Sequence, residues 1–432
     1  MGFFKHFGEF MMLGARAHAK WEIEISNTIF NDRKRMIILC LLIIPIILGG
    51  MAFANETGDL LPQVLGGKKA YSPAFFTIEI FIISILIGLG AGLITGCIGA
   101  GGGFIIAPAL MSAGIKGILA VGTDLFHIFA KAIMGSVLHK KLGNISVPLA
   151  VLFLVGAIMG ATGGGIINRV LYEINPVLSD TFITSIYVLM LGLLGTYALT
   201  DYLKARKLPE NGEFQGEGGE GAQMGNLPQK IQSIKFGPMI AFDQGLIPGG
   251  RQVSAIFLIL SGALVGFCAS IMGVGGGFLT FPIFVYVLGV SSMTTVGTDI
   301  FQIIFTAGYA AITQYAIYGF IFYTLAIGML LGSLFGIQIG ALVTKVVKGI
   351  TIRGFYAMAV LAGVVNRAFA LPGKLAEMDI IPLSKEVTSV LDAIGVWAFF
   401  IVISIFAVWV LGTFFKNINV LRGGNSEIHV EV

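Results

Sequence analysis

Charged side chains are scarce in this sequence of 432 residues. Asp, Glu, Lys and Arg together account for 12% of it, whereas typical soluble domains carry about 25%, and hydrophobic residues account for 56%. So few charges and so much apolar surface exclude an ordinary soluble globular protein. The composition predicts an all-α polytopic integral membrane protein in a lipid bilayer. The formal net charge of +4 then concerns orientation across the membrane and does not indicate a nucleic-acid partner.

Cysteine is also rare, with three residues, Cys40, Cys97 and Cys268, each in an apolar stretch. Three scattered thiols exclude a disulfide scaffold and a clustered zinc site. No arrangement of Ser, His and Asp, and no pair of carboxylates placed for hydrolysis, is legible in the sequence. We therefore predict a protein that is not an enzyme, with no metal site and no cofactor.

Glycine, in contrast, is abundant: the 60 glycines are about 14% of the chain, against a usual share of about 7%. The glycines do not follow a collagen period. In an apolar chain they indicate close helix packing and interrupted helices within the membrane.

Ten apolar segments and one polar connector organise the chain. Residues 1–35 are predicted to form a cytoplasmic N-terminal extension, and 36–54 are either a transmembrane helix or a signal-peptide-like segment that ends in Ala52-Phe53-Ala54. A polar, Gly-rich linker over 201–250 is predicted to be disordered. The other apolar segments lie near 75–98, 121–140, 147–168, 179–200, 252–272, 296–318, 320–344, 352–371 and 391–415.

The two halves of the sequence repeat each other. GAGGGFIIAP at 99–108 matches GVGGGFLTFP at 273–282, and VGTDLF at 121–126 matches VGTDIF at 296–301. Glycines at fourfold spacing follow in both halves, and the offset between copies grows only from 174 to 176. We therefore predict two homologous repeats, at 75–200 and 251–371, followed by an outer loop, a last transmembrane helix and a cytoplasmic tail within 372–432.

The basic residues predict how the repeats are oriented. A short apolar piece follows each glycine motif, at 104–113 and 278–289. If both pieces cross the membrane, the basic clusters, the N-terminus, the linker and the C-terminus all fall on the cytoplasmic side, as the positive-inside rule requires. The repeats are then inverted and contain helices broken at glycine, which is how secondary transporters are built.

The glycine motifs are the first candidate site. Three consecutive glycines break a helix, and a break at membrane depth exposes backbone N–H groups and a helix N-terminus, which favour anions. Close helix packing is the alternative, and it explains the later glycines at 156, 160 and 164 better than a site does. The residues assigned to the anion site here are Gly99, Gly101, Gly102, Gly103, Phe104, Gly273, Gly275, Gly276, Gly277 and Phe278.

The second candidate is the repeated Gly-Thr-Asp, followed in the first half by a histidine. Asp124, His127 and Lys131 share one helical face, which suits proton coupling or attraction of an anion. The alternative is that each Thr-Asp pair caps the start of its own helix. Because the equivalent of His127 is Gln302, a symmetric two-metal site is not expected. The residues assigned to transport here are Gly122, Thr123, Asp124, His127, Gly297, Thr298, Asp299 and Gln302.

The repeated G-x-GGG-F…P followed by VGTD resembles the sulfite exporter TauE/SafE family over roughly residues 80–415. The resemblance implies an inner-membrane permease for sulfite, sulfoacetate or other organosulfur anions. The motif positions to which it extends are Gly99 to Phe104, Pro108, Gly122 to Asp124, Gly273 to Phe278, Pro282 and Gly297 to Asp299.

Together the patterns predict a secondary transporter of small sulfur-containing anions coupled to protons. A passive anion channel of the same architecture is the first alternative, and an intramembrane metal or redox enzyme is the second. A sensory membrane protein is disfavoured because the 201–250 linker is too short for an output domain.

Overall fold

A computed structural model describes residues 77–98, 103–141, 145–207, 226–243, 250–344, 346–347 and 349–418. The predicted extension (1–35), the segment 36–54 and the motif residues Gly99, Gly101 and Gly102 lie outside these described residues.

The described part of the first half contains five helices, because its apolar segments are long and separated by short connections. Their bounds are α1 Ile78–Ile98, α2 Gly103–Ser112, α3 Gly117–Lys141, α4 Val147–Ile174 and α5 Pro176–Lys207. A short helix, α6 Asn226–Ser233, and an antiparallel pair of strands, β1 Met239–Phe242 and β2 Arg251–Ser254, lead to the second half.

The second half also begins with a long helix and then a short one. Its elements are α7 Ala255–Met272, α8 Gly277–Pro282 with a π-helical continuation Ile283–Leu288, α9 Ser292–Tyr309, α10 Tyr323–Val343, α11 Gly349–Glu377 and α12 Lys385–Lys416. Helix α9 continues as a π-helix over Ala310–Tyr315 and a 3₁₀ turn over Ala316–Tyr318. In the described part of the chain, eight helices are long and apolar enough to cross a membrane. The all-α polytopic membrane fold is confirmed.

The two halves pack together through rows of glycines in two pairs of helices. Helix α4 lies against α7 so closely that a Cβ on Gly160 would meet the Ala263 carbonyl oxygen at 1.9 Å. Helix α10 lies against α1 in the same manner, with a Cβ on Gly332 falling 2.0 Å from the Ile85 carbonyl oxygen. The packing role predicted for the glycines at fourfold spacing is thereby confirmed.

The reciprocal pairing has one pattern: the first helix of each half packs on the fourth helix of the other. Two homologous repeats are expected to pack in this way. Their inversion across the membrane stays a prediction.

The predicted disordered linker is shorter than expected. Residues 226–243 form α6 and β1 because their apolar side chains, Ile231, Ile240 and Phe242, join a buried cluster with the end of α8. The Asp243 carboxylate also accepts hydrogen bonds from the Ser291 backbone N–H at 2.9 Å and from the Thr294 hydroxyl at 2.6 Å, at the start of α9. This part of the linker is therefore structured.

The predicted outer loop, which begins at 372, is also shorter than expected. Helix α11 continues through Pro372 to Glu377, and α12 begins at Lys385, where the Ser384 side chain caps its first turn. The connection between the two helices therefore spans only 378–384.

Candidate transport site at the glycine breaks

The second glycine motif interrupts a helix as predicted. Helix α7 ends at Met272, and Gly273, Gly275 and Gly276 have φ angles of +80°, +68° and +94° before α8 begins at Gly277. Residues with a Cβ rarely adopt these angles, so the backbone requires glycine here. In the first half, α1 ends at Ile98 and α2 begins at Gly103.

The start of α2 meets the second break in the core. A Cβ on Gly103 would lie 3.0 Å from the Val274 Cα atom, and a Cβ on Gly273 would lie 2.8 Å from the Val121 Cα atom. The start of α2, the second break and the VGTD segment of α3 are thus in backbone contact. Residues Gly103 to Leu110 of α2 are all buried, so this half-length helix lies inside the protein.

The other assigned residues that the structure describes are also buried. A Cβ on Gly122 would meet the Phe320 carbonyl oxygen at 2.2 Å, so the VGTD segment also touches the turn before α10. Phe104 packs edge-to-face on Tyr356 with a centroid distance of 5.9 Å. Phe278 and Gly297 are buried as well.

Side chains from other helices donate hydrogen bonds to the last backbone carbonyls of α7. The Asn168 amide donates to the Ile271 carbonyl at 3.2 Å, the Tyr315 hydroxyl donates to the Ser270 carbonyl, and the Tyr187 hydroxyl donates to the Met272 carbonyl. The last carbonyls of a helix lack intrahelical partners, and these groups supply them. Sequence reasoning missed all three residues; their only signal was polarity within an apolar helix.

The two threonines of the VGTD motifs cap helices of the opposite half. The Thr123 hydroxyl accepts from the Phe322 backbone N–H at 2.9 Å, at the start of α10. The Thr298 hydroxyl accepts from the Ser146 backbone N–H at 3.0 Å, at the start of α4. The two bonds are equivalent under the predicted repeat.

The alternative that each Thr-Asp pair caps its own helix is wrong. Helix α3 begins at Gly117 and α9 at Ser292, so Asp124 and Asp299 each lie about two turns inside a helix. The N-cap of α9 is Ser291.

Asp124 and His127 form a fully buried pair. The Asp124 Oδ1 and His127 Nδ1 atoms are 3.5 Å apart, and both side chains have 0% exposure. The His127 Nε2 atom lies 3.0 Å from the Ser333 Oγ atom of α10. Neither Asp124 oxygen accepts a well-formed hydrogen bond from the described residues, although the Ala107 backbone and Lys131 act on this carboxyl electrostatically.

In the second half, Asp299 and Gln302 are the equivalents of Asp124 and His127, and they form a chain of hydrogen bonds with Thr306. The Gln302 amide donates to the Asp299 Oδ1 atom at 2.9 Å, and the Thr306 hydroxyl donates to the Gln302 Oε1 atom at 2.7 Å. The Asp299 Oδ2 atom would lie 3.0 Å from a Cβ on Gly277, so this carboxyl faces the start of α8.

Among the described residues, no group of three or more His, Cys, Asp or Glu side chains is placed to hold a metal ion. The structure brings the start of α2, the second glycine break and the VGTD segment of α3 together in the buried core, and the Asp299 carboxyl faces the start of α8.

Comparison with known proteins identifies a matching family. The family model described as "Sulfite exporter TauE/SafE" matches residues 84–366, which include both glycine motifs and both VGTD motifs. The chain belongs to the sulfite exporter TauE/SafE family. The predicted family membership is thereby confirmed.

Two relatives of the TauE/SafE chain come from Bacillus subtilis (strain 168). "Probable membrane transporter protein YunE" is 23% identical over 280 residues, which cover 63% of this chain and 91% of the relative. "Probable membrane transporter protein YjnA" is 26% identical over 262 residues, which cover 60% and 87%. No solved structure gives a significant match. The chain is a multi-pass membrane protein of a transporter family.

Proposed function

We propose that this TauE/SafE protein is a secondary transporter that moves small sulfur-containing oxyanions, such as sulfite and organosulfonates, together with protons. The observation that carries the proposal is the buried contact of the start of α2 with the second glycine break and of that break with the VGTD segment of α3, while the Asp299 carboxyl faces the start of α8. Discontinuous helices that meet in the core are the usual substrate site of secondary transporters.

The helix starts provide the anion contacts. In α8 the intrahelical hydrogen bonds begin with the Leu279 and Thr280 N–H groups, which both donate to the Gly276 carbonyl at 2.9 Å. The N–H groups of Gly277 and Phe278 precede these bonds and belong to the helix start, where the dipole favours negative charge.

The neighbouring carboxyls link the anion to protons. An anion at the start of α8 lies beside Asp299, and Asp124 follows three residues after Val121, whose backbone touches Gly273 of the second break. Two negative charges repel each other strongly in a buried site. Anion and proton therefore bind together, which is the requirement for symport.

The Asp124–His127 pair is suited to hold one such proton. The Ser333 hydroxyl lies 3.2 Å from the Leu330 carbonyl and donates to it, so the Ser333 oxygen accepts from His127 Nε2–H. The lone pair of His127 Nδ1 then faces Asp124 Oδ1, and a single proton between these atoms satisfies both. We propose that Ser333 positions His127 and that the pair exchanges the coupling proton.

We further propose that the protein lies in the cell membrane with its N-terminal extension, linker and C-terminal tail in the cytoplasm. The support is the distribution of basic residues: α5 ends with Lys204, Arg206 and Lys207, and α12 ends with Lys416.

Uptake of labelled sulfite, thiosulfate and sulfoacetate into proteoliposomes tests the function. We expect saturable uptake of at least one of them that increases when the outside is acidified. Saturable uptake that is independent of the pH gradient would instead support the passive anion channel. No uptake of any of the three, beyond that of protein-free liposomes, would overturn the proposed substrate class.

A further inference from the structure

A buried arginine, Arg367, lies away from the glycine breaks. Arg367 of α11 is 2% exposed, and its Nε atom donates to the Asn366 Oδ1 atom at 2.6 Å. Its Nη2 atom donates to the hydroxyl of Ser112, the last residue of α2, at 2.6 Å. The Asn366 amide also donates to the Ser112 hydroxyl at 3.0 Å. Arg367 is therefore fixed against the end of α2 that is opposite to Gly103.

No carboxylate lies within ion-pair distance of Arg367 in the described residues. Two other cations of the same part of the chain do have such partners: Lys374 pairs with Asp180 at 3.2 Å, and Arg353 pairs with Asp201 at 3.2 Å. The carboxylates of Asp392 and Asp180 act on Arg367 only from beyond ion-pair distance, and Asp180 is itself paired with Lys374. A guanidinium group remains charged at all physiological pH values, and a buried charge without a directly paired counterion is unfavourable.

Arg367 also has unused donors. A guanidinium carries five N–H groups, and the described residues accept from only two of those of Arg367. The other buried arginine of the described residues, Arg169, also donates twice, to Gln314, but its guanidinium lies over the Tyr318 ring at 4.0 Å. The guanidinium of Arg367 therefore has both the charge and the free N–H groups that a second ligand would use.

We propose that Arg367, held by Ser112 and Asn366, binds a small oxyanion at a second site. Parallel N–H groups of arginine match the paired oxygens of sulfonates, sulfite and sulfate. Helix α2 has ten residues, so the two ends of the helix are about 15 Å apart. The second site is thus a separate binding site on the proposed path of the anion. That the anion is also the transported one rests on the proposed function; the existence of the site does not.

The number of oxyanions bound per chain tests this inference. Equilibrium dialysis of the purified full-length protein with labelled sulfate and labelled sulfite, at constant ionic strength, compares the wild type with Arg367→Gln. We expect Arg367→Gln to bind one oxyanion fewer per chain. If the glycine breaks also bind an anion, the number falls from two to one; if they do not, it falls from one to none. The two results separate the proposed function from the Arg367 site.

Arg353→Gln is the matched control, because it removes a cation that already has a carboxylate partner, and it should bind as the wild type does. Arg367→Lys keeps the charge but loses the paired N–H groups, so we expect about 10-fold weaker binding at the second site. Arg367→Lys also provides the test if Arg367→Gln does not fold. An unchanged number and affinity in the folded Arg367 variants would overturn the inference, as would a wild type that binds neither oxyanion.

Discussion

Asp124 and Asp299 occupy equivalent sequence positions but have different partners. Asp124 faces His127, which can take up and release a proton, whereas Asp299 accepts a hydrogen bond from the amide of Gln302, which cannot. The two carboxyls therefore have the same place in the repeat and different chemistry. We expect Asp124 to exchange its proton through His127, a route that Gln302 does not offer Asp299.

Replacing Asp124 by Asn should abolish anion flux driven by a pH gradient and spare the exchange of labelled for unlabelled anion. The amide keeps the size of the side chain and removes the group that shares a proton with His127. Both fluxes are measured in the same proteoliposomes. Asp201→Asn is the control, because this partly exposed carboxylate pairs with Arg353, and it should retain gradient-driven flux; equal defects in the two variants would remove the special role of Asp124.

The residues of the site were only partly predictable. Asp124 and His127 could be found because they share a helical face within one apolar segment. Ser333, which contacts His127 from 206 residues away, and Asn168 and Tyr187, which satisfy the end of α7, could not be found. Their roles depend on which helices pack together, and local spacing does not carry that information.

At the scale of the helices, the close approach of backbone groups determines which helices pack together. Glycines let α4 approach α7 and α1 approach α10 until a backbone carbonyl of one helix lies where a side chain of the other would begin. The long helices were predictable from the apolar segments, but α6, which lies in the predicted linker, was not. The π-helix that follows Pro282 in α8 was not predictable either. A proline indicates that the helical hydrogen bonds are interrupted nearby, but it does not indicate whether a kink, a break or a π-helix results.

Gly160→Ala should prevent this close approach. The new methyl group would lie 1.9 Å from the Ala263 carbonyl oxygen, so α4 and α7 must separate, at a cost of about 1–3 kcal/mol or more. Gly192→Ala in α5 is the matched control, because a Cβ there has no neighbour within 4 Å. Thermal unfolding of the purified variants measures the difference. A melting temperature of Gly160→Ala equal to that of Gly192→Ala would contradict the packing.

Thr123→Val should destabilise the start of α10. The valine has the shape of threonine but cannot accept the hydrogen bond from the buried Phe322 N–H, so we expect a loss of about 1–3 kcal/mol in the free energy of unfolding. Thr298→Val should have a smaller effect, since its bond to Ser146 is only partly buried. Thr123→Ser keeps the acceptor and should remain within about 0.5 kcal/mol of the wild type. Chemical denaturation in detergent measures all three, and no loss for Thr123→Val would show that the cap contributes nothing.

At the scale of the whole molecule, the two halves complete each other. Each half contributes the first helix of one tight pair and the fourth helix of the other pair, and each VGTD threonine caps a helix of the opposite half. The duplication could be inferred from the sequence motifs. The exchange of partners between the halves could not, because it depends on three-dimensional packing.

The proposed orientation predicts which ends of α12 are accessible from each side. In a variant without native cysteines, Lys385→Cys at its start should react with a membrane-impermeant thiol reagent added to intact cells. Lys416→Cys at its end should react only after the cells are opened. Both residues are exposed in the structure, so burial does not explain a difference. The reverse pattern would invert the proposed topology.

Proton movement during anion transport tests the central claim most directly. A pH-sensitive dye is trapped in proteoliposomes that start with equal pH on both sides, and thiosulfate or sulfoacetate is added outside. Our account predicts that the lumen acidifies as the anion enters, and that wild-type protein but not Asp124→Asn does this. Anion entry without any change in lumenal pH would contradict symport and favour a passive channel.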